Sequence, residues 1–68
     1  MAYKESIENE VRRLIENAPK GRSEHVLEHF DQEDVRDTVN RLRFEYPNNR
    51  LEETRLYMDN TAPITINK

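Results

Sequence analysis

The apolar residues near the start of the chain recur at the spacing of an α-helix. Positions i, i+4, i+8, i+11, i+12 and i+15 are occupied by Tyr3, Ile7, Val11, Leu14, Ile15 and Ala18. This spacing places the six side chains on one side of a helix. Because Pro19 disfavours helical backbone at the residue before it, the pattern predicts a helix over about residues 4–17.

The next two apolar stripes predict a short helix and a longer one, separated by a tight break. The short helix spans about residues 24–30 and begins after Ser23, whose hydroxyl is suited to cap it. Its apolar side carries Val26, Leu27 and Phe30. The longer helix spans about residues 32–46 and begins after Asp31, another capping residue type. Its stripe at i, i+4, i+7 and i+11 contains Val35, Val39, Leu42 and Tyr46.

The C-terminal third changes from a helical period to an alternating one. Apolar or β-branched residues alternate with polar ones at Thr54, Leu56 and Met58, and again at Ile64 and Ile66. A turn-rich segment, residues 59–63, separates the two runs. The alternation predicts a β-hairpin over about residues 53–67. The alternative is a C-terminus without regular structure, which is common for terminal segments.

Length and charge narrow the classes of protein to consider. Sixty-eight residues allow one domain, residues 1–68, and no cysteine is present to form a disulfide or a thiolate metal site. The net charge of −3 is unevenly distributed, because residues 36–58 hold five arginines against four acids. No apolar run reaches the length of a membrane span or of a signal-peptide core. We therefore expect a soluble cytoplasmic protein with no membrane contact.

Residues 32–43, QEDVRDTVNRLR, resemble the second-to-third helix region of the winged helix-turn-helix family. An acidic cap is followed by apolar residues four and seven positions apart, and then by the predicted hairpin or wing. The chain lacks the glycine common in that family's turn. The resemblance implies a mainly α domain with three helices and a small β-hairpin. It also implies a small dimeric DNA-binding protein, a transcriptional regulator whose third helix enters the major groove.

The outward face of the predicted third helix carries the residue types that such a reader needs. Arg36, Asn40 and Arg43 lie at i, i+4 and i+7; arginine can contact guanine with two hydrogen bonds, and asparagine can do the same with adenine. The full set of DNA contacts expected from the resemblance, including phosphate contacts from the wing, is Arg36, Asn40, Arg41, Arg43, Arg50 and Arg55. The alternative is a solvated helix face with arginine–acid pairs.

A second functional class is a protein–protein interaction module or inhibitor that uses the same fold. Phe44 falls off the inward stripe, and Tyr57 lies on the strand face opposite Leu56 and Met58. Exposed aromatic residues are common anchors at protein interfaces, although the wing is expected to cover Phe44. The first helix carries more apolar surface than a small core can cover, which predicts a homodimer seam at Tyr3, Ile7 and Val11.

Enzymatic chemistry is not expected from this sequence. No acids are arranged as a paired general acid and base, and a domain of this size has little volume for a pocket. His25 and His29 lie at i, i+4 of the predicted second helix, a spacing that can hold a metal, but neither a cysteine nor a second histidine pair supports such a site. We therefore predict neither catalysis nor a metal or other cofactor.

Overall fold

The structure, a computed structural model, describes residues 3–47 and 49–68. Its elements in chain order are helix α1 (Glu5–Asn17), strand β1 (Arg22–His25), helix α2 (Gln32–Leu42), a 3-10 turn (Arg43–Glu45) and strand β2 (Ile64–Asn67). Among the described residues there are thus two α-helices and a two-stranded antiparallel sheet. The predicted three-helix winged helix-turn-helix fold is therefore wrong, and the chain is a small α/β domain.

Both α-helices follow the apolar stripes seen in the sequence. The buried side of α1 is formed by Ile7, Val11 and Ile15, and the helix ends where Ala18, before Pro19, takes an extended conformation. Within the described part of the chain, neither helix combines the length and the apolar character that crossing a membrane requires.

The inward side of α2 is formed by Val35, Val39 and Leu42, each with no exposed surface, as predicted. The helix is shorter than the predicted span of about 32–46. A 3-10 turn follows Leu42, and Tyr46 is extended because Pro47 comes next. Thr38 is buried on the same side, and its hydroxyl accepts a hydrogen bond of 3.1 Å from the Lys4 backbone N–H. This bond ties the start of α1 to the middle of α2.

The predicted helix over residues 24–30 is wrong. Ser23 does not cap a helix but lies in β1, opposite Ile66, and its hydroxyl is 3.0 Å from Nε2 of His25. The segment after β1 is a turn, held by the side-chain amide of Gln32, which donates to the carbonyls of Leu27 at 2.8 Å and Phe30 at 2.9 Å. Strand pairing with the far end of the chain therefore overrides the weak local signal for two helical turns.

Strand β2 is the centre of the β structure. On one side it pairs with β1, from Arg22 opposite Asn67 to His25 opposite Ile64. On the other side Leu51 forms an isolated antiparallel bridge with Ile66. Backbone N–H groups of Glu52 and Asn67 donate there to Thr65 O at 3.1 Å and to Arg50 O at 2.8 Å. Residues 50–52, β2 and β1 therefore lie side by side in that order.

The predicted hairpin over residues 53–67 is correct only in its second arm. The pairing partner of β2 is the segment around Leu51, and residues 53–63 contain no strand. The alternative of an irregular C-terminus is also wrong for Ile64–Asn67, because this segment is a strand that pairs with β1 and bridges to Leu51. Ile64 and Ile66 of β2 are fully buried in the hydrophobic core.

Candidate nucleic-acid interface

Asn40, predicted to read adenine, instead holds the backbone of Thr54. Its Nδ2 donates to the carbonyl of Thr54 at 3.0 Å, and its Oδ1 accepts from the N–H of the same residue at 2.7 Å. We call this pair of bonds the Asn40–Thr54 clamp. Both polar ends of the amide are thus engaged, so the bidentate adenine contact expected from the sequence is not available.

The clamp places the segment that carries Arg55 against the face of α2 that carries Arg36 and Arg43. Arg36 and Arg43 lie four residues before and three after Asn40, and Arg43 still has helical backbone angles. Residues at these spacings share one side of a helix. Arg55 follows Thr54 directly and is exposed, whereas the Thr54 side chain is buried. We name Arg36, Arg43 and Arg55 the arginine cluster.

The guanidinium groups of the arginine cluster differ in their contacts. Nε of Arg36 is 3.1 Å from a carboxylate oxygen of Asp37, and both side chains are about one-third exposed. The guanidinium of Arg43 lies 5.1 Å from the ring centroid of Phe44. Among the described residues Arg55 forms no ion pair. A guanidinium has five N–H donors, so the cluster retains donors for an anionic ligand.

Carboxylates close to the cluster in sequence are engaged by arginines from other parts of the chain. Arg12 of α1 binds Glu45 at 2.9 Å, and Arg22 of β1 lies 3.5 Å from Glu52. Asn67 also donates to Glu52 at 2.7 Å, and this hydrogen bond, followed by the charge of Arg22, lowers the pKa of Glu52. Two of the four acids of residues 36–58, Glu45 and Glu52, are therefore engaged by arginines outside the cluster, whereas Asp37 pairs with Arg36.

The structure does not gather all six predicted DNA contacts. Arg41 points to another side of α2, where its guanidinium lies 5.1 Å from the ring centroid of Tyr3. Arg50 is held beside β2, where its carbonyl accepts from Asn67 and its N–H donates to Pro47 O at 3.1 Å. The arginine cluster and Asn40 together make up four of the six predicted DNA contacts. Asn40 has a structural role rather than one in base recognition.

The N-terminal end of α2 is acidic and unsuited to a phosphate. Asp31 caps the helix by accepting from the N–H groups of Glu33 at 3.0 Å and Asp34 at 3.2 Å. A shallow cavity of about 370 Å³ beside this cap is lined partly by Glu28, Asp31 and Glu33. These carboxylates repel anions, so the cavity does not suit an anionic ligand.

Several large apolar side chains are left uncovered. The wing is predicted to cover Phe44, but Phe44 is 81 % exposed and this prediction is wrong. Tyr57 is 57 % exposed and Met58 is fully exposed, in the loop between Leu51 and β2. Isolated apolar side chains are normal on protein surfaces, but aromatic ones are frequent anchors for partners.

The two histidines and the first-helix residues predicted to form a dimer seam are not arranged as the sequence predicts. His25 lies in β1 and His29 in the following turn, so the helical spacing that would align them is not formed. In the described ranges no group of three or more His, Cys, Asp or Glu residues is placed to hold a metal. Ile7 and Val11 are buried in the chain's own core, and Tyr3 is half-buried. These three residues therefore do not form an exposed apolar seam.

A polar network joins α1 to the segment that follows α2, around Tyr46. The Tyr3 hydroxyl donates to Glu8 at 2.6 Å, and Arg12 binds Glu8 at 2.6 Å and donates to the Tyr46 hydroxyl at 2.9 Å. Burial, and then the bond to Glu8, raises the pKa of Tyr3 to about 12. The hydrogen bonds from Tyr3 and then Arg12 lower the pKa of Glu8. The Glu8–Arg12 pair has the i,i+4 spacing of a helix, but the sequence gives no sign that Arg12 also reaches Tyr46, which lies 34 positions further along the chain.

The lowered pKa values of Glu8 and Glu52 predict acid sensitivity. The ordinary pKa of a glutamate is 4.5, and the pKa values of Glu8 and Glu52 in the folded state lie below it. These two carboxylates therefore bind protons more weakly in the folded state than in the unfolded chain. Their contribution to stability is complete above pH 4.5 and is lost as the pH falls through the lowered pKa values. We expect Glu8→Gln to reduce stability at neutral pH and to flatten the loss below pH 4.5, measured by urea unfolding across the acid range.

Glu16→Gln is the matched control for this titration. Glu16 is exposed on the same helix and its carboxylate has no ion pair among the described residues. Below pH 4.5 the free energy of unfolding of Glu16→Gln should fall with pH as steeply as that of the unmodified chain. An equally steep fall for Glu8→Gln would show that the Tyr3–Glu8–Arg12 network does not cause the acid sensitivity.

The chain matches no protein-family model, and neither the curated proteins nor the solved structures contain a significant match to it.

Proposed function

We propose that this domain is a non-catalytic DNA-binding protein that contacts the phosphate backbone of duplex DNA through Arg36, Arg43 and Arg55. The observation that supports this proposal is the Asn40–Thr54 clamp, which holds the residue before Arg55 against the face of α2 that carries Arg36 and Arg43. Arginine suits this role because its planar fork of donors matches the oxygens of a phosphate.

The proposed binding depends more on charge than on base sequence. Phosphate contacts fix the orientation of a protein on DNA but carry no sequence information directly. Asn40, the residue best suited to read adenine, is occupied by Thr54. A net charge of −3 and the acidic end of α2 require the domain to approach with the arginine cluster first. In a cell whose DNA lies in the cytoplasm, a transcriptional regulator of this kind would act there.

Loss of one cluster arginine should weaken DNA binding. We expect Arg43→Ala and Arg55→Ala each to reduce the affinity for duplex DNA at low salt. For each phosphate that a variant no longer neutralises, the slope of log K against log salt should decrease by about 1. Fluorescence anisotropy of a labelled duplex, titrated at several salt concentrations, measures both quantities.

Arg13→Ala provides a control with the same change in charge. Arg13 is exposed on α1 and bound to Glu10 at 2.9 Å, so its removal should leave the salt slope unchanged. Equal weakening by Arg13→Ala, Arg43→Ala and Arg55→Ala would show that only the net charge matters. Absence of DNA binding by the unmodified chain at low salt would contradict the proposal altogether.

A second candidate function is that of a protein-binding module. The 81 % exposure of Phe44, together with the exposed Tyr57 and Met58, favours it, because buried aromatic anchors dominate many protein interfaces. The acidic balance of the chain also fits this class better than DNA binding. Passage of the unmodified chain through a heparin column at low salt, without retention, would favour this candidate over the first.

A further inference from the structure

The outer edge of β1 carries backbone groups that have no backbone partner among the described residues. Gly21 and Lys68 exchange both backbone hydrogen bonds, at 2.9 and 3.5 Å. Since bonded and non-bonded pairs alternate along an antiparallel ladder, Ser23 and His25 also direct their backbone toward β2. Arg22 and Glu24 therefore direct theirs away from it, and within the described chain no strand lies on that side.

The side chains along this edge are complementary to a second copy of themselves. In an antiparallel pairing with a two-fold axis at Ser23, Arg22 of one copy lies opposite Glu24 of the other, and the reverse holds as well. Both residues direct their N–H and C=O groups outward, so each such pair has the geometry of a hydrogen-bonded pair. Opposite charges at directly facing positions stabilise a pair of strands.

The same charges disfavour the neighbouring register. With the axis at Glu24, the two Glu24 carboxylates would face each other, and facing like charges are destabilising. Arg22 is 65 % exposed, and its contact with Glu52, at 3.5 Å, is long. Its guanidinium can therefore reach an additional carboxylate without giving up a tight ion pair.

We propose that the chain forms a symmetric homodimer by antiparallel pairing of two β1 edges. The sheets of the two copies then form one continuous sheet. Because both copies use the same edge, no such edge is left for a third copy, and the assembly stops at a dimer. Such pairing covers an edge that proteins rarely leave open. It also adds buried surface to a domain so short that it buries only about 60 % of its unfolded surface. This inference is independent of DNA binding.

Sedimentation over a range of concentrations, without DNA, tests the proposal. We expect the mass to rise from 8.2 kDa to twice that value as concentration increases. Glu24→Arg and Arg22→Glu each place like charges at the two facing pairs and should raise the dimer dissociation constant by about tenfold or more. The double variant Arg22→Glu with Glu24→Arg restores opposite charges and should restore the dimer.

The double variant also separates loss of pairing from loss of folding. A single variant that is monomeric because it is unfolded would show a reduced circular dichroism signal, and the double variant would then not recover. A monomer at every concentration would overturn the proposal. So would a dimer whose dissociation constant is unaffected by both single variants, because the seam would then lie elsewhere, as at Phe44.

Discussion

Ile66→Ala is expected to remove most or all of the stability of this domain. Ile66 is fully buried in β2, opposite Ser23 on one side and Leu51 on the other. Truncating a buried isoleucine to alanine costs about 2–5 kcal/mol, from the lost transfer free energy and the cavity left behind. Since small domains unfold with only about 5–15 kcal/mol, and the smallest lie near the lower bound, urea unfolding should show a strongly reduced midpoint.

Two further variants make this prediction quantitative. Ile66→Val removes one methylene and should cost about 0.5–1.5 kcal/mol, which keeps the protein folded and measurable. Met58→Ala changes a fully exposed side chain and should leave the unfolding midpoint unchanged. A loss of stability for Ile66→Val no greater than that for Met58→Ala would contradict the central position of β2.

Asn40→Ala is expected to produce the second large effect. The variant leaves the N–H and the C=O of Thr54 without their partner, and the Thr54 residue is only 2 % exposed. An unsatisfied buried polar group costs about 1–3 kcal/mol. The better helix propensity of alanine returns about 0.5 kcal/mol. We therefore expect the free energy of unfolding to fall by about 2 kcal/mol on balance.

Hydrogen exchange at Thr54 gives the local measure of the clamp. In the unmodified chain the Thr54 amide donates to Asn40 at 2.7 Å and should exchange slowly. In Asn40→Ala this protection should fall to that of an open loop. Asn9→Ala is the matched control, because Asn9 is exposed on α1, and its stability should change little. Equal stability of the two variants would show that the clamp does not hold the loop.

Asn40→Ala should also weaken DNA binding, although it removes no charge. Arg55 follows Thr54, and without the clamp the backbone before Arg55 is no longer bound to α2. The affinity should fall because the more mobile loop around Arg55 must be ordered when DNA binds, and this ordering costs free energy. This dependence links the stability of the loop to the function proposed for the domain.

The two long apolar stripes are sufficient to predict α1 and α2. Four or more inward positions at helical spacing leave little ambiguity in a segment of this length. The helix ends are less predictable, because the 3-10 turn after Leu42 continues the helical direction only as far as Glu45. The inward placement of Val35, Val39 and Leu42 follows directly from the period.

Strand β1 could not be predicted from its own residues. Its four residues, Arg22–His25, contain no aliphatic side chain, and its partner β2 lies at the other end of the chain. Ser23 and the apolar residues after it give a local helical signal that long-range pairing overrides. For Gln32, which holds the turn after β1, the sequence indicates only a place in the first turn of a helix.

The arginine cluster is predictable in part. The helical period places Arg36, Asn40 and Arg43 on one side of the helix, and the structure does so too. The period cannot show that Asn40 binds the chain's own backbone, because the contact with Thr54 depends on the path of the loop. Asparagine inside a helix has a low intrinsic propensity, and this is the one local signal for a specific structural contact.

The most direct test of the proposed interface is a titration of the isotopically labelled protein with a short DNA duplex, followed by amide NMR shifts. The Asn40–Thr54 clamp holds the backbone before Arg55 against the face of α2 that carries Arg36 and Arg43. We therefore predict that the largest shift changes fall on these three arginines and on Thr54. The amides of the acidic cap around Asp31 should remain unchanged. Shift changes concentrated at that cap, or no changes at low salt, would contradict the proposed interface.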